Sequence, residues 1–250
     1  MAETFQDLAC TVCGCVCDDI EADVADGQII ATRNVCSLGE PLFEQIASEE
    51  TVARIDGQPA TLDEAVAQAA QLLVESRAPL IYGLSQSSTA GQRAAVRLAD
   101  CLGATIDTTA STCHAPSIVA LQAVGESTST LGEVRHRSDL VVYWGSNPVE
   151  SHPRHLERFV DASGYFIAGG RNARRLVTVD CQPTETTALA DRFIQVTPGS
   201  DFELIWALRA LVQGKRLAGE GPIAGVAREE LRQLAAELCE ARYGALFFGL

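Results

Sequence analysis

Five of the nine cysteines fall within residues 10–36, and this crowding constrains the chain more than any other feature. Cys10, Cys13 and Cys17 form a C-x2-C-x3-C run, and after eighteen intervening residues Cys36 supplies a fourth thiol. A tight loop can place three thiolates on neighbouring irons while a returning segment closes the cage, so the spacing suits a 4Fe–4S cluster. Zinc is the alternative, but a zinc ribbon takes its thiolates as two close pairs, and Cys36 has no close companion. The spacing therefore favours a cluster on Cys10, Cys13, Cys17 and Cys36. Cys15 leaves the register open, since Cys13-Gly14-Cys15 offers a second way to count. Inert core thiols are the plainer alternative, yet four cysteines in eight residues, followed by Asp18-Asp19, do not suit core packing.

Beyond the run, DDIEADVADGQIIAT alternates polar and apolar residues, with Asp26-Gly27 as a hairpin signal. The texture changes at Thr61. Thr61 and Glu64 make a capping-box pattern ahead of LDEAVAQAAQLLVES, which is apolar at helical spacing. APLIYGL and SDLVVYWG read as buried strands and RRLVTVD as another strand. AGQRAAVRLADCLGA, HPRHLERFVDAS, DFELIWALRALVQG and REELRQLAAELCEA read as helices. Strands alternating with helices predict a parallel sheet. The expected fold class is α/β: a small β-rich iron–sulfur domain over residues 1–55, then a Rossmann-like parallel-sheet domain over 56–250. Because YGALFFGL reads as an apolar strand with nothing after it, the second domain is expected to be truncated.

Hydrophobic residues make up 47% and charged residues 21%, an ordinary globular balance. The net charge of −14 repels phosphate backbones and anionic lipid, so neither nucleic-acid nor membrane-surface binding is expected. No apolar run has the length of a membrane span, and MAETFQDLAC lacks the regions of a signal peptide. A cytoplasmic location is expected, where cysteines act as ligands or buried thiols rather than as disulfides.

Three more segments fall at expected strand ends, where α/β sheets place ligands. In Ser111-Thr112-Cys113-His114-Ala115-Pro116-Ser117, Cys113 at a helix start is a candidate metal ligand or nucleophile, or a lone structural thiol. His114 beside it can donate or accept a proton. Residues 144–153, WGSNPVESHP, form a strand-to-helix loop of the kind that cradles phosphate. VDCQPTET carries Asp180 to a strand end, to accept hydrogen bonds from a ribose or base edge or to cap a helix. His155 with Arg154 and Arg158 is expected to pair with pyrophosphate or to face a partner. In GGRNARR, Arg171, Arg174 and Arg175 read either as surface charge or as contacts to an anionic cofactor or another protein of a complex.

The cysteine run, Cys113, the G-x-N-P loop and DCQPTET ahead of PGSD together resemble the molybdopterin-guanine-dinucleotide oxidoreductases. Within them, CDDI, CHAPS and YWGSNPVESHPRH resemble the B-subunit family of formylmethanofuran dehydrogenase, over nearly the whole chain. The resemblance implies a 4Fe–4S cluster on Cys10, Cys13, Cys17 and Cys36, with Cys113 ligating a molybdenum or tungsten bis-(molybdopterin guanine dinucleotide) centre. It implies catalytic roles for Cys113 and His114, and places Gly145, Asn147 and Asp180 on the pterin dinucleotide. Ala115 stands where the family pattern has Gly, and family members continue well past residue 250.

The activity so implied is the interconversion of formate and CO2. An amidohydrolase-like A-subunit would condense formate with methanofuran, and the C- and D-subunits would complete the complex. Two other readings stand beside it. One is a scaffold of a bacterial formyltransferase/hydrolase complex that has lost the pterin site. The other is a 4Fe–4S electron-transfer module, for which the α/β body is larger than needed.

Overall fold

The computed structural model describes residues 2–45, 53–85 and 87–249. Contacts divide the chain into two units, residues 1–48 with 128–249 and residues 49–127. The expected two-domain split, 1–55 and 56–250, differs from this grouping. The physical reason is electrostatic: Asp18 and Asp19, directly after the cysteine run, are paired with Arg158 and Arg154, some 140 residues later.

The N-terminal segment is a three-stranded antiparallel sheet, β1 (Glu3–Leu8), β2 (Ile20–Ala25) and β3 (Gln28–Arg33), followed by the short helix α1 (Glu40–Gln45). β2 and β3 meet at the expected Asp26-Gly27 turn, whose φ angles of 53° and 77° are what a tight primed hairpin demands. β1, ETFQDL, gives no clear apolar alternation, and pairing with β2 rather than local pattern makes it a strand.

The second unit begins with a small hairpin, β4 (Ala53–Ile55) and β5 (Gln58–Ala60). The helix α2 (Leu62–Glu75) follows, opened by the Thr61/Glu64 capping box. Next come β6 (Leu80–Gly83), α3 (Thr89–Leu102) and β7 (Thr105–Thr108), and then α4 (Ala110–Cys113) and α5 (Ala115–Val124). β6 and β7 pair in parallel as a two-stranded sheet. β6 is not the buried strand expected from APLIYGL, for Leu80 and Tyr82 are more than half exposed. With β7 its only paired neighbour among the described residues, neither face is covered as a central parallel strand requires.

The chain then returns to the first unit with α6 (Leu131–Arg137), β8 (Leu140–Trp144), α7 (Pro148–Ser151), a π-helical segment (Leu156–Asp161) and a 3-10 turn (Gly170–Ala173). It continues through β9 (Arg175–Asp180), α8 (Glu185–Leu189), β10 (Arg192–Gln195), α9 (Asp201–Val212), α10 (Arg228–Glu240) and β11 (Gly244–Phe248). Here lies the parallel sheet, in the order β10-β9-β8-β11. β8 is buried at all five positions. Leu140, Val142 and Trp144 pack against α9 and α10, while Val141 and Tyr143 face Val134, Leu156 and Val160 on the opposite side. A strand covered on both faces explains the unbroken apolar run LVVYW.

HPRHLERFVDAS is not one α-helix. The preceding residue of a proline is driven out of the α region, and His152 before Pro153 takes φ −142°, ψ 67°, ending α7. The turn that follows is π-helical. Of the three arginines of GGRNARR, Arg175 is an exposed surface charge paired with Glu237 and Arg171 pairs with Asp191, but Arg174 is not surface charge: it is buried against main-chain carbonyls.

Candidate functional site

In the sheet order β10-β9-β8-β11 the chain steps outward from β8 to β10, then crosses back to place β11 on the other side of β8. The strand order reverses between β8 and β11, the place where open α/β sheets leave a crevice beyond the strand ends. Gly145 follows β8 with φ +56°, and its N–H donates to Val179 O at 2.8 Å. The Gly249 N–H after β11 donates to Trp144 O at 2.8 Å. A Cβ at Gly249 would stand 1.9 Å from Gly145 O, so only glycine permits this approach of the two strand ends. A Cβ at Gly145 would meet nothing within 4 Å, so the space over this turn is open.

Asn147 holds the loop that follows. Its Nδ2 donates to Glu185 Oε2 at 2.7 Å and to Glu150 Oε2 at 3.1 Å, and its Oδ1 accepts from Thr186 Oγ1 at 2.6 Å and Thr186 N at 3.2 Å. The amide is thereby committed to joining the β8–α7 loop to the first turn of α8. Asp180 ends β9, with Oδ1 accepting from Gln182 N at 3.3 Å.

The cysteine loop packs in the same unit. Cys10 N–H donates to Cys17 O at 2.8 Å, and Gly14, at φ +80°, takes the chain round the turn. Cys10, Cys15 and Cys17 are buried with Ile20, Phe43 and Phe159, while Cys13 and Cys36 are half-buried. Cys36 O accepts from the N–H groups of Gly39 and Glu40. A Cβ at Gly39 would lie 3.5 Å from Cys36 O and 3.6 Å from Cys10 Sγ, so the returning segment runs beside the first cysteine.

Arg154 fastens the two cysteine-bearing segments together. It grips both carboxylate oxygens of Asp19, at 2.8 and 2.7 Å, and donates to Asn34 O at 2.6 Å, while Asn34 Nδ2 donates to Asp19 O. Arg158 adds bonds to Asp19 and Asp18. The Arg154 guanidinium, bonded to its carboxylate, holds Asp19 below the usual range. Burial, with Cys13 and Cys17 adding to it, pushes the Cys15 thiol up to about 12. Cys17 is raised by burial against the opposing pull of Arg158 and Arg154. These arginines and His155 are not a pyrophosphate-binding set, because the cations are spent on Asp18, Asp19 and Glu157 and His155 is buried. Its burial lowers the His155 pKa to about 4, so at neutral pH the imidazole carries no charge.

A cavity of about 300 Å³ lies between this loop and the β8/β11 ends, lined by Cys13, Cys15, Tyr143, Ser146, His155 and Phe247 among others. Sequence does not single out Tyr143 and His155 for this cavity; the signal that could find them is the position of Tyr143 near the end of a strand with two buried faces. Cys113 and His114 belong to the other unit. Cys113 is exposed at the end of α4, and His114, at φ −107° and ψ 0°, is the hinge between α4 and α5. Among the described residues, no three His, Cys, Asp or Glu side chains are grouped as a site for a single metal ion. No helix among them is long and apolar enough to cross a membrane.

No protein-family model matches the chain. It is 40% identical over 258 aligned positions to the B subunit of tungsten-containing formylmethanofuran dehydrogenase 2 of Methanococcus maripaludis, covering 99% of this chain and 59% of that protein. The crystal structure of the formyltransferase/hydrolase complex FhcABCD of Methylorubrum extorquens, with methylofuran, contains a chain 30% identical with a TM-score of 0.57, covering 75% of this chain and 49% of that one. Acetylene hydratase of Pelobacter acetylenicus shares the fold with a TM-score of 0.67 at 15% identity, over 97% of this chain and 40% of that one. The resemblance expected from CDDI, CHAPS and YWGSNPVESHPRH is thus borne out, and the chain is a homologue of the formylmethanofuran dehydrogenase B subunit that spans about three fifths of its relatives' length.

Proposed function

We propose that the chain is the redox subunit, or the greater part of it, of a formylmethanofuran dehydrogenase-type complex in the cytoplasm, interconverting formate and CO2 for one-carbon transfer to and from methanofuran. The observation that carries this is the double hold of Arg154, which brings the residue two after Cys17 and the residue two before Cys36 to one guanidinium. A chain with merely buried thiols has no need to join these two segments so firmly.

Cys10, Cys13, Cys17 and Cys36 would hold a 4Fe–4S cluster, with Cys15 beside them. The donor set fits. Burial, with Cys13 adding to it, raises the thiols of Cys15 and Cys17, and iron would relieve this at Cys17 by binding it as a thiolate. A cubane also spreads its four thiolates over four irons, so it does not need the one-point convergence of a zinc site.

Cys113 would ligate molybdenum or tungsten, and the loops of Gly145, Asn147 and Asp180 would lie on the pterin dinucleotide. Bound there, the bis-pterin centre supplies two-electron redox chemistry. The open space over Gly145 is a cradle that a side chain would fill, and Asn147 sets the loop's shape through its own committed amide. His114 would hold the proton that accompanies C–H cleavage on its imidazole. An amidohydrolase-like A-subunit and the C- and D-subunits of such a complex would be the partners, with no nucleic acid and no membrane.

A second reading, a non-redox scaffold in a formyltransferase/hydrolase complex, is favoured by the 30% identity to a chain of FhcABCD. Metal analysis with electron paramagnetic resonance of the anaerobically purified complex decides. Iron with molybdenum or tungsten, and viologen reduction with formylmethanofuran that Cys113→Ser abolishes while leaving the iron–sulfur signal intact, is the expected result. Iron without dye reduction moves the chain to the scaffold reading, and absence of iron refutes the cluster.

A further inference from the structure

Two aromatic side chains stand out in water in the loop that follows the π-helical segment. Tyr165 is 83% and Phe166 65% exposed, their rings edge-on at 4.9 Å, while Ile167 next to them is buried. The loop is tightly held. Gly164 N–H donates to Ile167 O at 2.9 Å, and Tyr165 N–H to His136 Nδ1 and Phe166 N–H to His136 O, both at 3.0 Å. A Cβ at Gly164 would lie 2.1 Å from Arg135 O, so the loop is pressed against the end of α6. These contacts fix the main chain with both rings turned outward.

The pair continues into two arginines. Arg137 lies over the Phe166 ring at 5.6 Å and over the Tyr243 ring at 5.4 Å, and the side chain of Arg242 is 84% exposed. The nearby acids are engaged elsewhere. Glu133 caps Thr130, and Asp139 accepts from the main-chain N–H groups of Arg242 and Tyr243, reaching the Arg242 guanidinium only at 3.5 Å. In a chain of net charge −14, this patch is a local inversion of sign.

Tyr and Arg are among the residues that carry most of the binding energy at protein interfaces, and an arginine stacked on rings still presents its fork to a carboxylate. The complement is a carboxylate-bearing protein face with apolar side chains to cover the rings. Arg137 stands before β8 and Tyr243 before β11, whereas Gly145 and Gly249 follow the far ends of these strands. The two strands run in parallel and in register, and each has five residues, so about 16 Å of strand separates the patch from the crevice. A partner bound here leaves the crevice open.

We propose that Tyr165, Phe166, Arg137 and Tyr243 form a docking surface for an acidic face of another subunit of the complex. The assignment rests on the reading of the chain as a subunit of such a complex.

The test places a photo-crosslinker on the patch, Tyr165→p-benzoylphenylalanine, irradiates the intact complex and maps the product by mass spectrometry. The expected product is a crosslink to a different subunit, in a segment where Asp and Glu outnumber Lys and Arg. A crosslink to a second copy of this chain, a crosslink to a segment without that acidic excess, or no crosslink in the intact complex overturns the surface. Arg137→Glu and Phe166→Ala should each raise the dissociation constant of the complex about 10–100-fold, the scale of a central interface residue, while the circular dichroism spectrum stays that of the wild type. Wild-type affinity in both variants overturns the surface and leaves the complex standing. A wild-type chain that purifies without other subunits overturns the complex reading and the surface with it.

Discussion

Replacing Arg154 by Gln should loosen the junction between the two cysteine-bearing segments. The guanidinium is 11% exposed and makes two bonds to Asp19 and one to Asn34 O, all between 2.6 and 2.8 Å. Charge-assisted bonds of this kind are each worth about 1.5–3 kcal/mol net. Glutamine can keep one of the three, and Asp19 is 39% exposed, so water repays part of the loss. The expected net cost is about 2–3 kcal/mol, below the roughly 3–5 kcal/mol of a fully buried pair because Asp19 is partly exposed. It falls on the geometry that brings the Cys36 segment to the Cys17 end of the loop, so metal affinity should drop about 10–100-fold, as when a ligand's supporting partner is lost. Urea unfolding followed by circular dichroism measures the first quantity, and iron retained during titration with a chelator measures the second. If Arg154→Gln loses less than about 0.5 kcal/mol, the scale of a neutral surface change, and keeps its iron against the same chelator concentration, the reasoning fails.

Arg174→Met should cost about 3–5 kcal/mol, since it strips partners from the carbonyls of Arg135, Ser138, Val160 and Ala162 at two helix ends; a urea-derived loss below about 1 kcal/mol would refute this. His155 has a folded pKa near 4 against about 6.5 when unfolded, so the unfolded chain binds the extra proton first as pH falls. Stability should therefore be complete above about pH 6.5 and decline toward pH 4 by about 3 kcal/mol in all, a slope that His155→Phe should flatten in unfolding curves taken across that range. Gly249→Ala places a methyl against Gly145 O and should cost about 1–3 kcal/mol by displacing the end of β11, read as a lower thermal midpoint.

The parallel sheet is readable from sequence because β8 is covered on both faces and therefore has no polar position to blur it. Helices α2, α3, α9 and α10 are legible from their apolar spacing, and α2 also from its capping box. β10, only RFIQ, is not legible, because four residues with a charged start carry too little pattern and its pairing with β9 decides its state. The crowding of cysteines is plain, but its attachment to residues 154–159 is not, since ion pairs across more than 130 positions leave no local trace. Nor can the sequence disclose that Arg174 is buried: its hydrogen bonds go to main-chain carbonyls, which every residue carries.

The interruption of one unit by residues 49–127 sets an order of events for a chain emerging from the ribosome. The cysteine loop is made first, yet its anchors, Arg154 and Arg158, follow Asp19 by 135 and 139 positions. At about 5–20 residues per second, that is a wait of about 7–30 s during which five thiols have no platform to close upon. Stable capture of metal therefore belongs after the π-helical segment has emerged, and the whole of residues 49–127 must be synthesised before the N-terminal hairpins can finish folding. Cysteines that stand first in the sequence are in this way among the last to reach their final surroundings.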